Sequence, residues 1–207
     1  MVKYMLSESK QVRDFTQNFL KPFCEILARL KFSPNIISFL GVIFSFFVVV
    51  FLYFDNIYLA LLFLILASLC DIIDGSLARI YNLKSSFGAF LDSFLDRYSD
   101  FFIFFGILII AFKKQDILLF IFGTLALAGA FLTSYAKARA ESLGIKMKVG
   151  FFERPERIIF LIVSFLVLSY SYFLFKILII ILAIFTNLTA IQRFLFVKKV
   201  LQKKLKV

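Results

Sequence analysis

Residues 70–100 read CDIIDGSLARIYNLKSSFGAFLDSFLDRYSD. Five aspartates, two arginines and a lysine fall in this stretch of a chain that is 62% hydrophobic, with a mean hydropathy of +0.95. A soluble domain is nearer half apolar, so the composition is that of an integral membrane protein. Charged side chains are costly in lipid, so their concentration where an apolar run ends calls for a chemical reason.

Spacing supplies the first part of that reason. Asp71 and Asp74 are three positions apart, and Asp92 and Asp96 are four apart, so each pair shares one face of a helix. If the turn YNLKSSFG (residues 81–88) joins the two helices, the two faces can meet around one small volume. Four carboxylates cannot share such a space unpaired, because repulsion and desolvation would return their protons. Divalent cations relieve this. The chain has no His, and its two cysteines, Cys24 and Cys70, lack any metal-binding spacing. We read both cysteines as small buried apolar residues. Ligation by oxygen alone points to hard ions, Mg²⁺ or Mn²⁺. Without His, acid–base work also falls to Asp, Glu, Lys, Tyr or water.

The neighbouring residues suit a phosphorylated ligand. Gly75 and Ala78 remove bulk beside the first aspartate pair, and Gly88 does so near the start of the next helix. Arg79 offers a planar fork for phosphate oxygens. Metal ions and an arginine on a diphosphate make a good leaving group, which is the electrostatic recipe for phosphoryl transfer. A salt-bridge cluster of purely structural purpose would hardly maintain so many acids at the membrane edge. A divalent-cation transporter or channel is the alternative of another class. Its permeation path should carry polar residues through several spans, yet Ile36–Phe54 and Arg157–Tyr172 are nearly pure hydrocarbon with scattered Ser.

Working outward, six stretches approach the roughly 20 apolar residues that cross a bilayer. They are Ile36–Phe54, Ile57–Ala78, Phe90–Phe112, Ile117–Ala136, Arg157–Tyr172 and Leu174–Val197. With both termini on one side, that side holds all of the 24 Lys and Arg except Lys113, Lys114 and Lys176. The positive-inside rule then places both termini and the aspartate-rich turn in the cytoplasm. Orientation also accounts for the net charge of +11 without nucleic acid. Ahead of the first span, Val12, Phe15, Phe19, Phe23, Ile26, Leu27 and Leu30 recur at helical spacing. That predicts an amphipathic helix on the inner leaflet, broken near Pro22, with a small cap packed on the loops as the alternative. The start of the chain lacks the apolar core of a cleavable signal peptide. The expected architecture is all-α: a cytoplasmic interfacial helix region over 1–33, then a six-helix membrane domain over 34–207.

Asp71-x-x-Asp74-Gly75-x-x-Ala78-Arg79, then eight residues, then Gly88-x-x-x-Asp92-x-x-x-Asp96 resembles the signature of the CDP-alcohol phosphatidyltransferases at all eight positions. The six-span layout agrees, so the resemblance extends over nearly the whole chain. It implies a homodimer in the cell membrane, its active site facing the cytoplasm. It also implies transfer of the lipid-phosphate group of CDP-diacylglycerol or CDP-archaeol to a small alcohol, with release of CMP. Asp71, Asp74, Asp92 and Asp96 would hold two Mg²⁺ or Mn²⁺ ions, and Asp96 would also serve as general base. Asn35, Gly75, Ala78, Arg79 and Gly88 would form the CDP-lipid site.

A second basic region opens with SYAKARAE (residues 134–141) and closes with ERPER (residues 153–157). Within the family it is similar to the branch that uses inositol 1-phosphate. A phosphorylated acceptor needs a basic pocket, and the resemblance assigns Ser134, Lys137, Arg154 and Arg193 to that phosphate. Arg139 and Arg157 are expected to pair with Glu141, Glu153 or Glu156. Glycerol 3-phosphate carries the same group, so phosphatidylglycerophosphate synthesis is the nearest rival.

Overall fold

The computed structural model describes residues 21–30, 32–147 and 149–204, and every regular element among them is an α-helix. Residues 21–29 form α1. It is followed by α2 (Pro34–Tyr53), α3 (Ile57–Ile80), α4 (Ser86–Lys113), α5 (Ile117–Ser142), α6 (Arg154–Leu168) and α7 (Tyr172–Lys204). The chain divides into two compact units, one reaching Ile109 and the other running from Ile110. In the first unit α2 packs along α3; in the second α7 packs along α5 and takes α6 beside it.

Local chemistry sets the helix ends. Ser33 caps α2 by accepting from the Ile36 N–H, and Pro34 occupies the first turn, where no amide donor is needed. Asn56 and Asp116 cap α3 and α5, accepting from Leu59 at 3.1 Å and Leu119 at 3.0 Å. Three tight connections each place one residue in the left-handed region: Asp55 (φ 59°), Asn82 (φ 54°) and Gln115 (φ 50°). Asp and Asn visit that region more readily than most side chains, whereas Gln115 is an unusual occupant.

Several helices outrun the apolar stretches that predict them. α4 starts at Ser86 instead of Phe90, α5 continues past Ala136 to Ser142, and α7 extends beyond Val197 to Lys204. Hydropathy ends where lipid ends, but backbone hydrogen bonding continues into water. Among the described residues, length and composition make four helices long and apolar enough to cross a membrane: α2, α3, α5 and most of α7. α4 carries Asp92, Asp96, Arg97 and Asp100 within its length, and α6 has only 15 residues. At 1.5 Å per residue α6 is about 22 Å long, short of the roughly 30 Å hydrocarbon core.

α1 packs on helices, not on the loops. Cys24 is fully buried with Ile37, Cys70, Ile73 and Leu77, and Leu27 and Ala28 pack on the same cluster. Phe23, Ile26 and Leu30 stay about half exposed or more, at 48%, 56% and 63%. One face therefore docks on α2 and α3 while the other remains apolar and outward. Pro22 lies inside α1, and the expected stripe from Val12 to Phe19 lies outside the described residues. Both cysteines are free and buried.

Candidate active site

The end of α3 and the beginning of α4 build one acidic cluster. Asp71, Asp74 and Asp92 each offer a carboxylate oxygen, and these oxygens lie within 4.8 Å of one another. Asp74 is only 5% exposed, while Asp71 and Asp92 are half-buried. The turn between the helices makes this convergence possible. The Leu83 N–H donates to the Ala78 carbonyl at 3.0 Å, Asn82 takes the left-handed conformation, and Ser85 Oγ accepts from the Gly88 N–H at 2.9 Å. The chain thereby reverses within a few residues, and α4 brings Asp92 back to the carboxylates of α3.

Asp96 lies one turn further along α4 and is not among the three converging carboxylates. Its Oδ2 sits 3.5 Å from the Arg97 guanidinium. Of the four aspartates expected to share one volume, three do so. Asp100, outside the motif, is 2% exposed.

Around the cluster, Gly75 does not leave an open face. The Arg79 guanidinium folds back over it, so that a Cβ on Gly75 would stand 3.2 Å from Nη1, and Nη2 lies 3.3 Å from Ser76 Oγ. Glycine here makes room for the arginine, and Arg79 as a whole remains exposed. Ala78 is half-buried on the same helix. Asn35, in the first turn of α2, reaches the start of α4: its Oδ1 would lie 3.4 Å from a Cβ on Gly88. Ser38, one turn into α2, donates its hydroxyl proton toward Asp74 Oδ2. Sequence reasoning passed over this serine as one of the scattered hydroxyls of an apolar run.

The residues assigned to an acceptor phosphate all belong to the second unit. Lys137 is exposed on α5, and Ser134, half-buried beside it, donates to the Ala130 carbonyl at 3.2 Å. Arg154 is half-buried at the start of α6, where the Glu153 N–H donates to Glu156 Oε2 at 3.1 Å. Arg193 is only 2% exposed. It donates from Nε to Val149 O at 3.1 Å, from Nη1 to Thr133 O at 2.7 Å, and from Nη2 to Glu153. Gly150 allows this approach, because a Cβ there would stand 2.8 Å from Nη2, and its φ of +139° is itself unsuited to a side chain. Of the two arginines expected to pair with acids, Arg157 is 1% exposed, and Arg139 lies 3.3 Å from the Ser142 hydroxyl.

A cluster of three carboxylates, with neither imidazole nor thiolate among its members, fits a hard divalent cation. A softer metal would find no preferred ligand there.

Comparison with known proteins agrees with this chemistry. A protein of Aquifex aeolicus with no assigned function is 38% identical over 198 residues, covering 95% of this chain and 97% of its own. Archaetidylinositol phosphate synthase of Methanothermobacter thermautotrophicus is 33% identical over 189 residues, covering 90% of this chain and 92% of its own. Among solved structures, phosphatidylinositol phosphate synthase of Mycobacterium tuberculosis with CDP-DAG bound superposes with a TM-score of 0.79 at 30% identity. That match covers 88% of this chain and 92% of that one. The same enzyme in complex with manganese and citrate gives 0.78 at 31% identity, covering 85% and 87%. The family model for CDP-alcohol phosphatidyltransferases matches residues 31–190. This chain is therefore a membrane enzyme of phospholipid biosynthesis and belongs to the CDP-alcohol phosphatidyltransferases.

Proposed function

We propose that the enzyme transfers the phosphatidyl or archaetidyl group of a CDP-linked lipid to the hydroxyl of inositol 1-phosphate, releasing CMP. The observation that carries the reading is the convergence of Asp71, Asp74 and Asp92 beside Gly75 and Arg79. These aspartates would hold Mg²⁺ or Mn²⁺, in all two ions, in keeping with the manganese complex of the mycobacterial relative. A bound metal would supply positive charge to the diphosphate, easing the departure of CMP with the electrons of the bridging oxygen. Arg79 adds a cation to the same diphosphate, and Asn35, Gly75, Ala78 and Gly88 complete the CDP-lipid site. Asp96 accepts the proton of the acceptor hydroxyl as that oxygen bonds to the lipid-side phosphorus and the bond to CMP breaks.

Ser134, Lys137, Arg154 and Arg193 are assigned to the acceptor phosphate. Three of the four are cations, which a free polyol acceptor would not call for. The reading keeps the remaining expectations of the sequence: six spans with α4 and α6 among them, both termini cytoplasmic, and a homodimer in the cell membrane. α1 is read as the interfacial element of residues 1–33, and residues 34–207 as the membrane domain.

The test is CMP release by purified enzyme in detergent with Mg²⁺. CDP-diacylglycerol and CDP-archaeol serve as donors, and inositol 1-phosphate, glycerol 3-phosphate, free inositol and serine are supplied singly as acceptors. Release with inositol 1-phosphate alone is expected. Release with glycerol 3-phosphate alone would transfer the acceptor residues to phosphatidylglycerophosphate synthesis. No release with any acceptor, donor or metal would overturn the proposed reaction.

A further inference from the structure

We infer that Ser38 is a positioning residue, holding the Asp74 carboxylate in the orientation that a divalent cation requires. The inference rests on the reading of Asp71, Asp74 and Asp92 as the metal ligands. Asp74 is the most buried of the three, and its oxygens cannot be oriented by bulk water. Ser38 meets it from α2, 36 residues away in sequence. The hydroxyl has one proton and two acceptors within reach, Asp74 Oδ2 and the Pro34 carbonyl at 3.2 Å. A carboxylate is the stronger acceptor, so the proton goes to Asp74.

Two features hold the hydroxyl in place. The first turn of α2 is fixed by the Ser33 cap and by Pro34, so Ser38 projects from a settled helix and not from a loop. One turn further along α2, Gly41 lies against Cys70 of α3, where an added Cβ would stand 3.2 Å from the Cys70 Cβ. The two helices run antiparallel through this contact, and the absence of a side chain at position 41 keeps them close. Only across such a short gap can a side chain as small as serine reach the neighbouring helix. A fixed donor on one lone pair of Oδ2 leaves the rest of the carboxylate to the ion. Hydrogen bonds to ligating groups are typically worth ten- to a hundredfold in metal affinity or activity.

The experiment measures Mn²⁺ binding to the purified full-length chain in detergent, by electron paramagnetic resonance without substrate, for wild type, Ser38→Ala, Ser38→Thr and Asp74→Asn. The concentration of Mn²⁺ that half-activates CMP release is measured in parallel, and thermal unfolding of the metal-free proteins shows that each variant is folded. Ser38→Ala is expected to bind Mn²⁺ about tenfold more weakly and to need correspondingly more metal for half-activation. Ser38→Thr, which keeps the hydroxyl, restores both. Wild-type affinity in a folded Ser38→Ala overturns the inference, whatever its activity. A threonine variant as weak as the alanine one overturns it too, because the hydroxyl would then not be the cause. If Asp74→Asn binds Mn²⁺ as wild type does, the metal-site reading itself fails and takes the inference with it.

Discussion

Arg193 of α7 and Glu153 at the cap of α6 form an ion pair whose side chains are 3% and 15% exposed. The arginine also donates from Nη1 to the Thr133 carbonyl and from Nε to the Val149 carbonyl, so one guanidinium ties α5, α7 and the loop ahead of α6 together. Removing one partner of a buried pair leaves an uncompensated charge, at a cost of about 3–5 kcal/mol. Glu153→Ala should therefore lower the unfolding temperature strongly, and Glu153→Gln, which keeps an acceptor, should do less. A double-mutant cycle with Arg193→Ala should show coupling of about 0.5–3 kcal/mol by denaturant unfolding in detergent. Additive losses would show that the pair holds nothing.

Gly129 of α5 faces Thr186 and Asn187 of α7, and a Cβ there would stand 2.5 Å from Thr186 Oγ1 and 2.8 Å from Asn187 Nδ2. Across this seam Asn187 Nδ2 donates to the Leu125 carbonyl at 2.9 Å, while Thr133 Oγ1, 2.7 Å from the Gly129 carbonyl of its own helix, lies 3.2 Å from the Thr186 carbonyl. Close backbone approach through small residues is how helices associate in lipid, where no hydrophobic force separates protein from solvent. Gly129→Ala should cost about 1–3 kcal/mol, as overpacking does, and Gly129→Leu more. Both should appear as lowered unfolding temperature before any change in metal binding.

Six of the helices, their order and three of the four expected carboxylate neighbours were legible in the chain, because each rests on local signals. Apolar length marks a helix, and spacing of three or four puts acids on one face. What could not be read depends on how separate helices rotate against each other. Asp96 shares a face with Asp92 by spacing, yet it lies one turn along beside Arg97, and the cluster closes without it. Ser38 and Thr133 look like ordinary hydroxyls in apolar runs until α3 and α7 are placed beside them. Gly75 was read as space for a ligand, whereas Arg79, four residues on, folds back over it.

Asp116 caps α5 and at the same time accepts from Lys176 at 2.9 Å and Tyr172 at 3.0 Å at the start of α7. The Leu119 N–H first, then Lys176, hold its carboxyl below the ordinary range for an aspartate. A depressed carboxylate contributes stability that is fully present above its unfolded value of about 3.9 and is lost as the pH falls through the folded value. Asp116→Asn retains the cap, since asparagine serves as well there, and removes only the charge. The pair is partly exposed, so the expected cost is modest, about 0.2–1 kcal/mol between pH 5 and 8. The difference in unfolding temperature from wild type should shrink below pH 4. A gap that widened on acidification would reverse the sign of this assignment.

Asp92 and Asp96 occupy successive turns of α4 but have different neighbours, and their asparagine variants should separate two roles. Asp92 converges with Asp71 and Asp74, so Asp92→Asn removes one of three charges that meet at one point. It should weaken Mn²⁺ binding and reduce CMP release together, by about a hundredfold or more for the reaction. Asp96 lies outside that convergence, and as the base it would contribute about 10²–10⁴ to the rate. Asp96→Asn should therefore lower kcat while leaving Mn²⁺ affinity near wild type. A chelator should abolish the activity of wild type, with Mg²⁺ or Mn²⁺ restoring it. If Asp96→Asn instead loses Mn²⁺ as fully as Asp92→Asn does, Asp96 is a ligand first, and the proton of the acceptor must go elsewhere.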